Sequence, residues 1–230
     1  MKTTAIVLAA GKGSRMKSDT PKQFLELDNK PILLYSLETF EKSLVDEIII
    51  VTIPSMIDYI NNEIVERYKF NKVKAVLEGS VARYLSVYNG LLAAKDSDYV
   101  LIHDSARPFA SIAMINSIIE NVKEKNAVIP AVPVKDTIKQ IDENGYVSNT
   151  PDRNTLVAVQ TPQAFLYRKL VKGYEAIDKT QVDDTITDDS CVWERYVKEL
   201  VYVVDGEESN IKITTPEDLN IGKTLINKRF

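Results

Sequence analysis

The chain has 230 residues and a formal net charge of −4, with 44% hydrophobic and 27% charged residues. These values are ordinary for a globular protein with one α/β domain, and the acidic balance argues against binding to long nucleic acid. A single cysteine, Cys191, excludes an internal disulfide framework, and no apolar run approaches the roughly 20 residues that span a bilayer. We therefore expect a cytoplasmic protein in which residues 1–230 form one domain.

Short β-branched runs alternate with stretches of helical apolar spacing over the first 132 residues. This alternation predicts an α/β fold with a doubly wound, mostly parallel sheet. The predicted strands are 5–9, 47–53, 74–77, 99–102 and 128–132, and the predicted helices are 32–42, 56–68, 86–94 and 112–125. Because ligands of such sheets bind beyond the C-terminal strand ends, we expect the site near Gly11, Gly79 and Asp104.

A Gly-rich turn follows the first predicted strand and carries basic residues. Gly11 and Gly13 lack side chains that keep backbone N–H groups from phosphate oxygens, and Arg15 and Lys22 supply positive charge for phosphoryl transfer. The spacing of a Walker A loop is absent, and Met16 occupies the third glycine position of a Rossmann fingerprint. The interpretation as an NAD-dependent oxidoreductase therefore rests on the glycines alone, whereas the whole turn is suited to binding a triphosphate.

Residues 135–150 break the alternation, because two short extended runs flank the sequence Asp142-Glu143-Asn144-Gly145. Asn-Gly is a strong hairpin signal. An isolated two-stranded hairpin is marginally stable in water, so residues 135–153 are predicted to form a projecting β-arm that packs on a partner, most simply in a twofold homodimer. A hairpin folded back on its own sheet is the alternative, and the sequence leaves both open.

The sequence His103-Asp104-Ser105-Ala106-Arg107-Pro108 follows the fourth predicted strand. Asp104 is a candidate ligand for Mg²⁺ beside triphosphate oxygens, and Arg107 is a candidate for binding a second phosphate. A structural Asp–Arg pair that closes a turn is the alternative, and it is favoured when the cluster is considered alone. His103 is the only histidine, so we expect a packed or hydrogen-bonded ring rather than a metal ligand or catalytic base.

Near the C-terminus, residues 210–219 combine a predicted strand with a helix start at Thr215-Pro216. Lys212 alternates with apolar neighbours and so points to solvent or to a cleft, where it can orient a phosphate. An exposed lysine is the simpler interpretation of this position alone. Thr187-Asp188-Asp189 is explained by a helix N-cap as well as by substrate contact.

Together these segments resemble, over nearly the whole chain, the cytidylyltransferases that join a sugar-alcohol phosphate to CTP, and in particular their methylerythritol phosphate branch. The resemblance rests on several motifs in a fixed order. They are Ala-Ala-Gly-Lys-Gly-Ser-Arg-Met at 9–16, Pro21-Lys22-Gln23, Arg83 with Ser86-Val87, His103-Asp104 with Arg107-Pro108, Asp136-Thr137-Ile138-Lys139, Asp152-Arg153, Gln160-Thr161-Pro162-Gln163 and residues 210–219.

The resemblance implies a Rossmann-like nucleotidyltransferase fold and a Mg²⁺-dependent enzyme. The implied reaction joins CTP and 2-C-methyl-D-erythritol 4-phosphate and releases pyrophosphate, in the non-mevalonate route to isoprenoid precursors. It also implies a homodimer in which the β-arm of one subunit completes the site of its neighbour. Neither a nucleic acid polymer nor a membrane is an implied partner.

Matched residue by residue, the resemblance implies that Arg15 and Lys22 stabilise charge on the α-phosphate. It implies that Arg153 and Lys212 position the attacking phosphate and that Asp104 holds Mg²⁺. The positions that surround CTP are Ala9, Ala10, Gly11, Gly13, Ser80, Val81, Ser86 and Ser105. The positions assigned to the sugar phosphate are Asp104, Arg107, Thr137, Arg153, Thr187 and Lys212.

Two alternatives remain within the same fold. A ribitol 5-phosphate cytidylyltransferase for cell-wall polymer precursors is indicated by Phe109 after Pro108, whereas Ala9-Ala10-Gly11 and Glu217 favour the methylerythritol branch. The family usually has two glycines before the Arg83 position, where this chain has Gly79-Ser80. A non-catalytic nucleotide-binding protein is the second alternative. Retention of Arg15, Lys22, Asp104, Arg153 and Lys212 argues against it, because binding alone would not need the whole set.

Overall fold

The computed structural model describes residues 1–11, 16 and 20–229 of the chain. It confirms the predicted α/β fold with a mostly parallel sheet. The strands in chain order are β1 (Thr3–Ala9), β2 (Glu47–Thr52), β3 (Val73–Glu78), β4 (Tyr99–Asp104), β5 (Ala127–Pro133), β6 (Gln140–Ile141), β7 (Val147–Asn149), β8 (Val157–Val159), β9 (Gln163–Leu166) and β10 (Tyr202–Asp205).

The main sheet of the described residues has eight strands, in the order β10-β5-β9-β4-β1-β2-β3, with β8 paired to β5. The pairs β1–β2, β1–β4, β2–β3 and β5–β10 are parallel. β9 is antiparallel to both of its neighbours, β4 and β5, and β8 is antiparallel to β5. The C-terminal ends of β1, β2, β3 and β4 therefore meet at one edge of the sheet.

The helices are α1 (Ile32–Lys42), α2 (Ile57–Tyr59), α3 (Arg83–Ala93), α4 (Ile112–Lys125), α5 (Tyr167–Glu175), α6 (Asp189–Val192) and α7 (Pro216–Arg229). π-helical segments continue α2 over Ile60–Glu66 and α6 over Trp193–Val197. Short 3₁₀ turns cover Lys22–Phe24, Pro54–Met56 and Arg153–Thr155. Within the described chain, no helix combines the length and apolar character that crossing a membrane requires.

Helices cover both faces of the sheet because alternate side chains of its central strands point in opposite directions. In β1, Ala5, Val7 and Ala9 pack with apolar residues of α1 and α4. Ile6 and Leu8 pack instead with those of α3, α5 and α6. All seven residues of β1 are buried, so this strand lies at the centre of the sheet.

A third apolar cluster attaches α7 beside the sheet. It contains Leu27, Ile32, Phe109, Ile213 and Ile226. A Cβ added at Gly222 of α7 would lie 3.3 Å from both Leu27 and Phe109, so this helix approaches its neighbours closely. The cluster therefore joins the segment after the Gly-rich turn to the segment before α7.

The five predicted strands lie within two residues of their expected bounds, and α1 and α4 have the predicted bounds. The helix predicted at 56–68 is composite, and apolar periodicity does not distinguish α from π geometry. The strand predicted before Pro216 is wrong. Residues 211–214 join no sheet, because Ile213 packs in the third cluster and its N–H donates to the Ala106 carbonyl at 2.8 Å.

The predicted hairpin is present, and β6 and β7 pair with each other as a separate two-stranded sheet. Gly145 has a φ of +84°, and Asp142 Oδ1 accepts hydrogen bonds from the N–H groups of Asn144 and Tyr146 at 3.0 and 2.9 Å. Ile141, Tyr146 and Val147 are exposed. That residues 1–230 form one domain and that 135–153 serve dimerisation stay predictions.

Candidate active site

A cleft of about 290 Å³ lies where β1, β3 and β4 end. Its walls come from the end of β1, the 3₁₀ turn at Lys22–Phe24, the loop from β3 into α3, the end of β4 and the segment before α7. The lining residues are Leu8, Ala10, Gly11, Lys22, Gln23, Ser80, Val81, Ala82, Arg83, Ser86, Asp104, Ser105, Ala106 and Lys212. This is the strand-end position that the alternating pattern predicts.

The loop after β3 approaches β1 so closely that it needs a glycine. A Cβ at Gly79 would lie 2.5 Å from the Ala10 Cβ and 3.0 Å from the Ser86 Oγ. The next residue, Ser80, donates its N–H to the Ser86 Oγ at 2.9 Å. The sequence Gly79-Ser80 thus keeps glycine at the tight contact and leaves the serine backbone held by the first turn of α3.

Polar side chains from other segments fix the end of β1. The Ser105 hydroxyl donates to the Leu8 carbonyl at 2.7 Å. The buried Gln23 donates through Nε2 to the Ala9 carbonyl at 2.5 Å. Ala9 is itself buried and does not line the cleft, so its contribution is a backbone anchor. The exit of β1 is therefore held before any ligand binds.

Asp104 lies at the floor of the cleft between two cations. Its Oδ1 accepts a hydrogen bond from Arg83 Nε at 3.0 Å, and its Oδ2 accepts one from Lys212 Nζ at 2.6 Å. Burial opposes ionisation of Asp104, but Arg83 and Lys212 outweigh that effect and hold the pKa of its carboxyl well below the usual range. Asp104 is therefore a carboxylate at neutral pH.

Arg83 also contacts a second carboxylate behind the cleft. Its Nη1 and Nη2 donate to the two oxygens of the fully buried Asp189 at 3.2 and 2.8 Å. Burial disfavours the charged guanidinium, but Asp189 and Asp104 outweigh that effect and raise the pKa of Arg83. The Tyr174 hydroxyl donates to Asp189 Oδ1 at 2.6 Å. The floor of the cleft is therefore tied to α5 and α6.

His103 is a buried structural residue, as expected. Its Nε2 lies 3.1 Å from the Arg107 carbonyl, and its Nδ1 lies 3.2 Å from the Thr161 Oγ1. The same Thr161 Oγ1 accepts the N–H of Asp104 at 3.1 Å. Burial lowers the pKa of His103 to about 4, so the ring is neutral at pH 7. The ring and Thr161 together hold the backbone that carries Asp104.

The structure brings Ala10, Gly11, Lys22, Ser80, Val81, Ser86, Asp104, Ser105 and Lys212 of the predicted set into one cleft. Arg107 does not line it, and its guanidinium donates to the carbonyls of Asn210 and Val159 at 2.8 and 3.4 Å. Thr137, Arg153 and Thr187 are exposed and outside it, and Arg153 donates to the Lys135 carbonyl at 2.9 Å. Gly13 and Arg15 lie outside the described residues.

Several residues at the site received no role from the sequence. Arg83 is part of a recognised motif, but its two carboxylate partners lie 21 and 106 residues away. The N-cap interpretation of 187–189 is confirmed for Asp188, whose Oδ1 accepts the N–H of Cys191 at 2.9 Å. That interpretation gave no sign that Asp189 faces inward. No local signal could have indicated it, because an acidic residue is common in the first turn of a helix and its partner Arg83 lies 106 residues away.

A divalent cation that arrives with a triphosphate would find one carboxylate in the described lining of the cleft. Over residues 1–11, 16 and 20–229, no group of three or more His, Cys, Asp or Glu side chains is close enough to hold a metal. Asp104 is the one acidic residue in the described lining. Mg²⁺ commonly uses one or two carboxylates and takes its other ligands from phosphates and water. Asp104 matches that pattern.

Comparison with known proteins gives one consistent result. The family model named IspD, 2-C-methyl-D-erythritol 4-phosphate cytidylyltransferase, matches residues 3–228. A protein of that name from Lachnoclostridium phytofermentans is 49% identical over 225 residues, which are 98% of this chain and 96% of the relative. One from Clostridium botulinum is 47% identical over 226 residues, 98% of this chain and 99% of the relative.

A solved structure agrees in fold as well as in sequence. The 4-diphosphocytidyl-2C-methyl-D-erythritol synthase from Anaerococcus prevotii superposes with a TM-score of 0.85 and is 37% identical, covering 98% of this chain and 96% of that one. The matched region contains every described residue that lines the cleft. The chain therefore belongs to the IspD family of 2-C-methyl-D-erythritol 4-phosphate cytidylyltransferases.

Proposed function

We propose that this chain transfers CMP from CTP to 2-C-methyl-D-erythritol 4-phosphate. The products are 4-diphosphocytidyl-2-C-methyl-D-erythritol and pyrophosphate, in the non-mevalonate route to isoprenoid precursors. The observation that carries the proposal is the cleft in which Lys22, Lys212 and Asp104 meet, in a chain that matches the family over residues 3–228. The names of the relatives described above favour this acceptor over ribitol 5-phosphate.

The reaction needs charge compensation more than it needs a base. An oxygen of the acceptor phosphate attacks the α-phosphorus of CTP, the bond from that phosphorus to the β-phosphate bridging oxygen breaks, and pyrophosphate leaves with the electron pair. The acceptor is already a dianion near neutral pH, so no proton has to be removed from it. The main barrier is repulsion between two anions, which fixed positive groups reduce.

The basic residues fall into two pairs, one for the α-phosphate of CTP and one for the attacking phosphate. Lys22 lines the cleft beside the end of β1, where it stabilises charge on the α-phosphate together with Arg15. Lys212 and Arg153 position the attacking phosphate. Lys212 contacts Asp104 in the structure, so it has to exchange that carboxylate for the acceptor phosphate during the reaction. Arg107, Thr137 and Thr187 are the further contacts that we assign to the acceptor.

The nucleotide occupies the part of the cleft with small side chains. Gly11 has open space around its Cβ position, and Ser80 and Val81 are exposed at the rim. These backbones can approach a base or a phosphate closely. We assign contacts with CTP to Ala9, Ala10, Gly11, Gly13, Ser80, Val81, Ser86 and Ser105.

A Mg²⁺ ion would be held by Asp104 and would neutralise charge on the triphosphate when bound. The low pKa of Asp104 supports this role, because the carboxylate stays ionised over the whole physiological range. The single cysteine supports a cytoplasmic location.

We infer that the active form is a homodimer. Thr137 and Arg153 have assigned roles in the site, yet both lie outside the cleft of their own chain. The arm that carries them exposes Ile141, Tyr146 and Val147, whose exposed fractions are 66%, 74% and 58%. A second copy that covers this apolar surface would bring Arg153 and Thr137 to its own cleft.

The test is a direct assay of the acceptor. Purified protein is incubated with CTP and Mg²⁺, and methylerythritol 4-phosphate and ribitol 5-phosphate are offered in separate reactions. Pyrophosphate release is measured, and the nucleotide product is identified by mass. We expect strong preference for methylerythritol 4-phosphate. Preference for ribitol 5-phosphate would indicate a role in the synthesis of polymer precursors. Absence of product with both acceptors would contradict the catalytic proposal.

A further inference from the structure

Arg83 connects the cleft to buried residues behind it. Nε points to Asp104, whereas Nη1 and Nη2 both bind Asp189, at 3.2 and 2.8 Å. A contact through two nitrogens fixes the plane of a guanidinium as well as its position. The Asp189 contact therefore determines the direction in which Arg83 Nε meets Asp104 Oδ1.

Asp189 is itself held from several sides. Its Oδ1 accepts the Tyr174 hydroxyl at 2.6 Å, and its backbone N–H donates to Gln163 Oε1 at 3.1 Å. The same Gln163 oxygen accepts the N–H of Ser190 at 3.0 Å. Tyr174 is fully buried, and its ring stacks on Tyr88 of α3 with 6.4 Å between centroids and 12° between planes. Asp189 cannot rotate without breaking this set of contacts.

Stability alone does not account for the arrangement. Two carboxylates and two cations, Asp104, Asp189, Arg83 and Lys212, balance in charge at the floor of the cleft. Buried ion pairs lose much of their Coulomb energy to desolvation, and apolar residues of similar volume often stabilise a fold as well or better. A role in fixing the orientation of the Asp104 carboxylate would explain why these buried charges are present.

We propose that Tyr174, Asp189 and Arg83 are positioning residues for Asp104. They aim its Oδ2 at the cleft and leave Asp104 with one fixed cationic partner when Lys212 moves to the acceptor phosphate. The inference rests on the proposed function. Tyr174 and Asp189 are absent from the lining of the cleft and act through Arg83, so neither needs to touch a substrate.

Three variants and one matched control test the proposal. Tyr174→Phe removes one hydroxyl, Asp189→Asn removes one charge with little change in shape, and Arg83→Lys keeps the charge but loses the planar fork. The control is Tyr167→Phe, which removes another tyrosine hydroxyl of α5 that donates to α3, at the Leu91 carbonyl, 3.1 Å away. For each protein, kcat, KM, thermal unfolding and the Kd of CTP with and without Mg²⁺ are measured, the Kd by calorimetry.

We expect Asp189→Asn to lower kcat/KM by roughly 10²-fold, by analogy with loss of one oriented donor. Tyr174→Phe should lower it by about three- to tenfold, the size of one hydrogen bond. Both should weaken CTP binding with Mg²⁺ and leave metal-free CTP binding unchanged. Arg83→Lys should also lower kcat/KM although it keeps the positive charge, because an ammonium cannot bind both carboxylates in the same geometry. Tyr167→Phe should change only thermal stability.

Two results would overturn the proposal. If Tyr174→Phe and Tyr167→Phe lose equal stability and both keep wild-type kcat and Mg²⁺-dependent CTP affinity, the Tyr174 contact only fastens α5. If Arg83→Lys has near wild-type values, charge neutralisation is enough and orientation is not needed. If the wild type forms no product, the proposed reaction fails, while the calorimetric comparison with and without Mg²⁺ still decides the positioning proposal.

Discussion

The cleft and the arm are organised in opposite ways. At the cleft, groups distant in sequence hold one another, as when the Ser105 hydroxyl donates to the Leu8 carbonyl and Lys212 donates to Asp104. In the arm, most contacts join near neighbours, as in those of Asp142 with Asn144 and Tyr146. The cleft is therefore preorganised within the chain, whereas the arm is a locally folded hairpin with exposed apolar side chains.

This difference indicates which parts of the molecule can move before a ligand binds without loss of function. Charge stabilisation at the α-phosphate requires groups that are already oriented, and such groups are found where burial and hydrogen bonds fix them. The acceptor contacts that we propose for the arm need a segment that becomes ordered only against a partner, and such a segment can tolerate movement before it binds. Substitutions in the cleft and in the arm should therefore differ in the property that they change.

The largest effect is expected for Lys22→Ala. Loss of a well-placed cation at the α-phosphate should lower kcat by roughly 10²–10³-fold in protein that is still folded. Steady-state kinetics and thermal unfolding check this together. The matched control is Lys74→Ala, since Lys74 is an exposed lysine of β3 that pairs with Glu47 away from the cleft. Near wild-type turnover of folded Lys22→Ala would contradict its assignment.

The cleft floor should also respond to pH through His103. The folded-state pKa of about 4 lies below the ordinary value of 6.5, so this ring contributes stability that is fully present above pH 6.5 and is lost as the pH falls through 4. The loss amounts to about 3 kcal/mol. His103→Asn should flatten the dependence of the free energy of unfolding on pH between 6.5 and 4.

Denaturant unfolding at several pH values measures this dependence. His103 is the only histidine, so the slope that remains in the variant reports the carboxyl groups alone. Identical slopes for the variant and the wild type would show that the ring is not held neutral in the folded protein.

Mixed dimers test whether the arm serves the neighbouring cleft. Lys22→Ala and Arg153→Ala proteins, each nearly inactive, are mixed and allowed to exchange subunits. In a mixed dimer, one site combines an intact Lys22 with an intact Arg153 arm from the partner. Roughly a quarter of the wild-type activity should return, since half of the dimers are mixed and each has one intact site. No recovery despite demonstrated exchange would mean that each arm serves its own cleft.

The smallest effect is expected at the tip of the arm. Gly145 has a φ of +84° with open space around its Cβ position, so Gly145→Ala meets backbone strain and no steric contact. The strain should destabilise the hairpin by about 1 kcal/mol. Hydrogen exchange of amides in 140–149 should speed up, while amides of β1 and β4 keep their protection. Equal changes in both regions would contradict the local character of the arm.

The sequence predicted the parts of the molecule that depend on local pattern. The five strands up to residue 133, α1, α4, the hairpin turn and the position of Asp104 all follow from periodicity or turn chemistry. β9 and β10 were not predicted, because each is a strand of four residues whose place in the sheet is set by distant strands, β4 and β5 for β9 and β5 for β10. Arg83 with Asp189 and Lys212 with Asp104 join positions more than 100 residues apart.

Those distant pairs are invisible to periodicity, because nothing near Arg83 in sequence identifies the carboxylate that faces it. Family resemblance named Lys212 and Asp104 but did not indicate that they contact each other. The physical reason is the same in both cases. Ion pairs form where the topology brings strand ends together, and the topology is a property of the whole sheet.

The third apolar cluster has a consequence for synthesis of the protein. It joins Leu27, near the start of the chain, to Ile213 and Ile226, almost 200 residues later. A nascent chain that has emerged only as far as β10 has the sheet and Asp104 but lacks Lys212 and α7. The cleft of such a chain keeps a carboxylate without its second cation, so competence for the reaction comes last, when the segment carrying Lys212 leaves the ribosome and α7 packs.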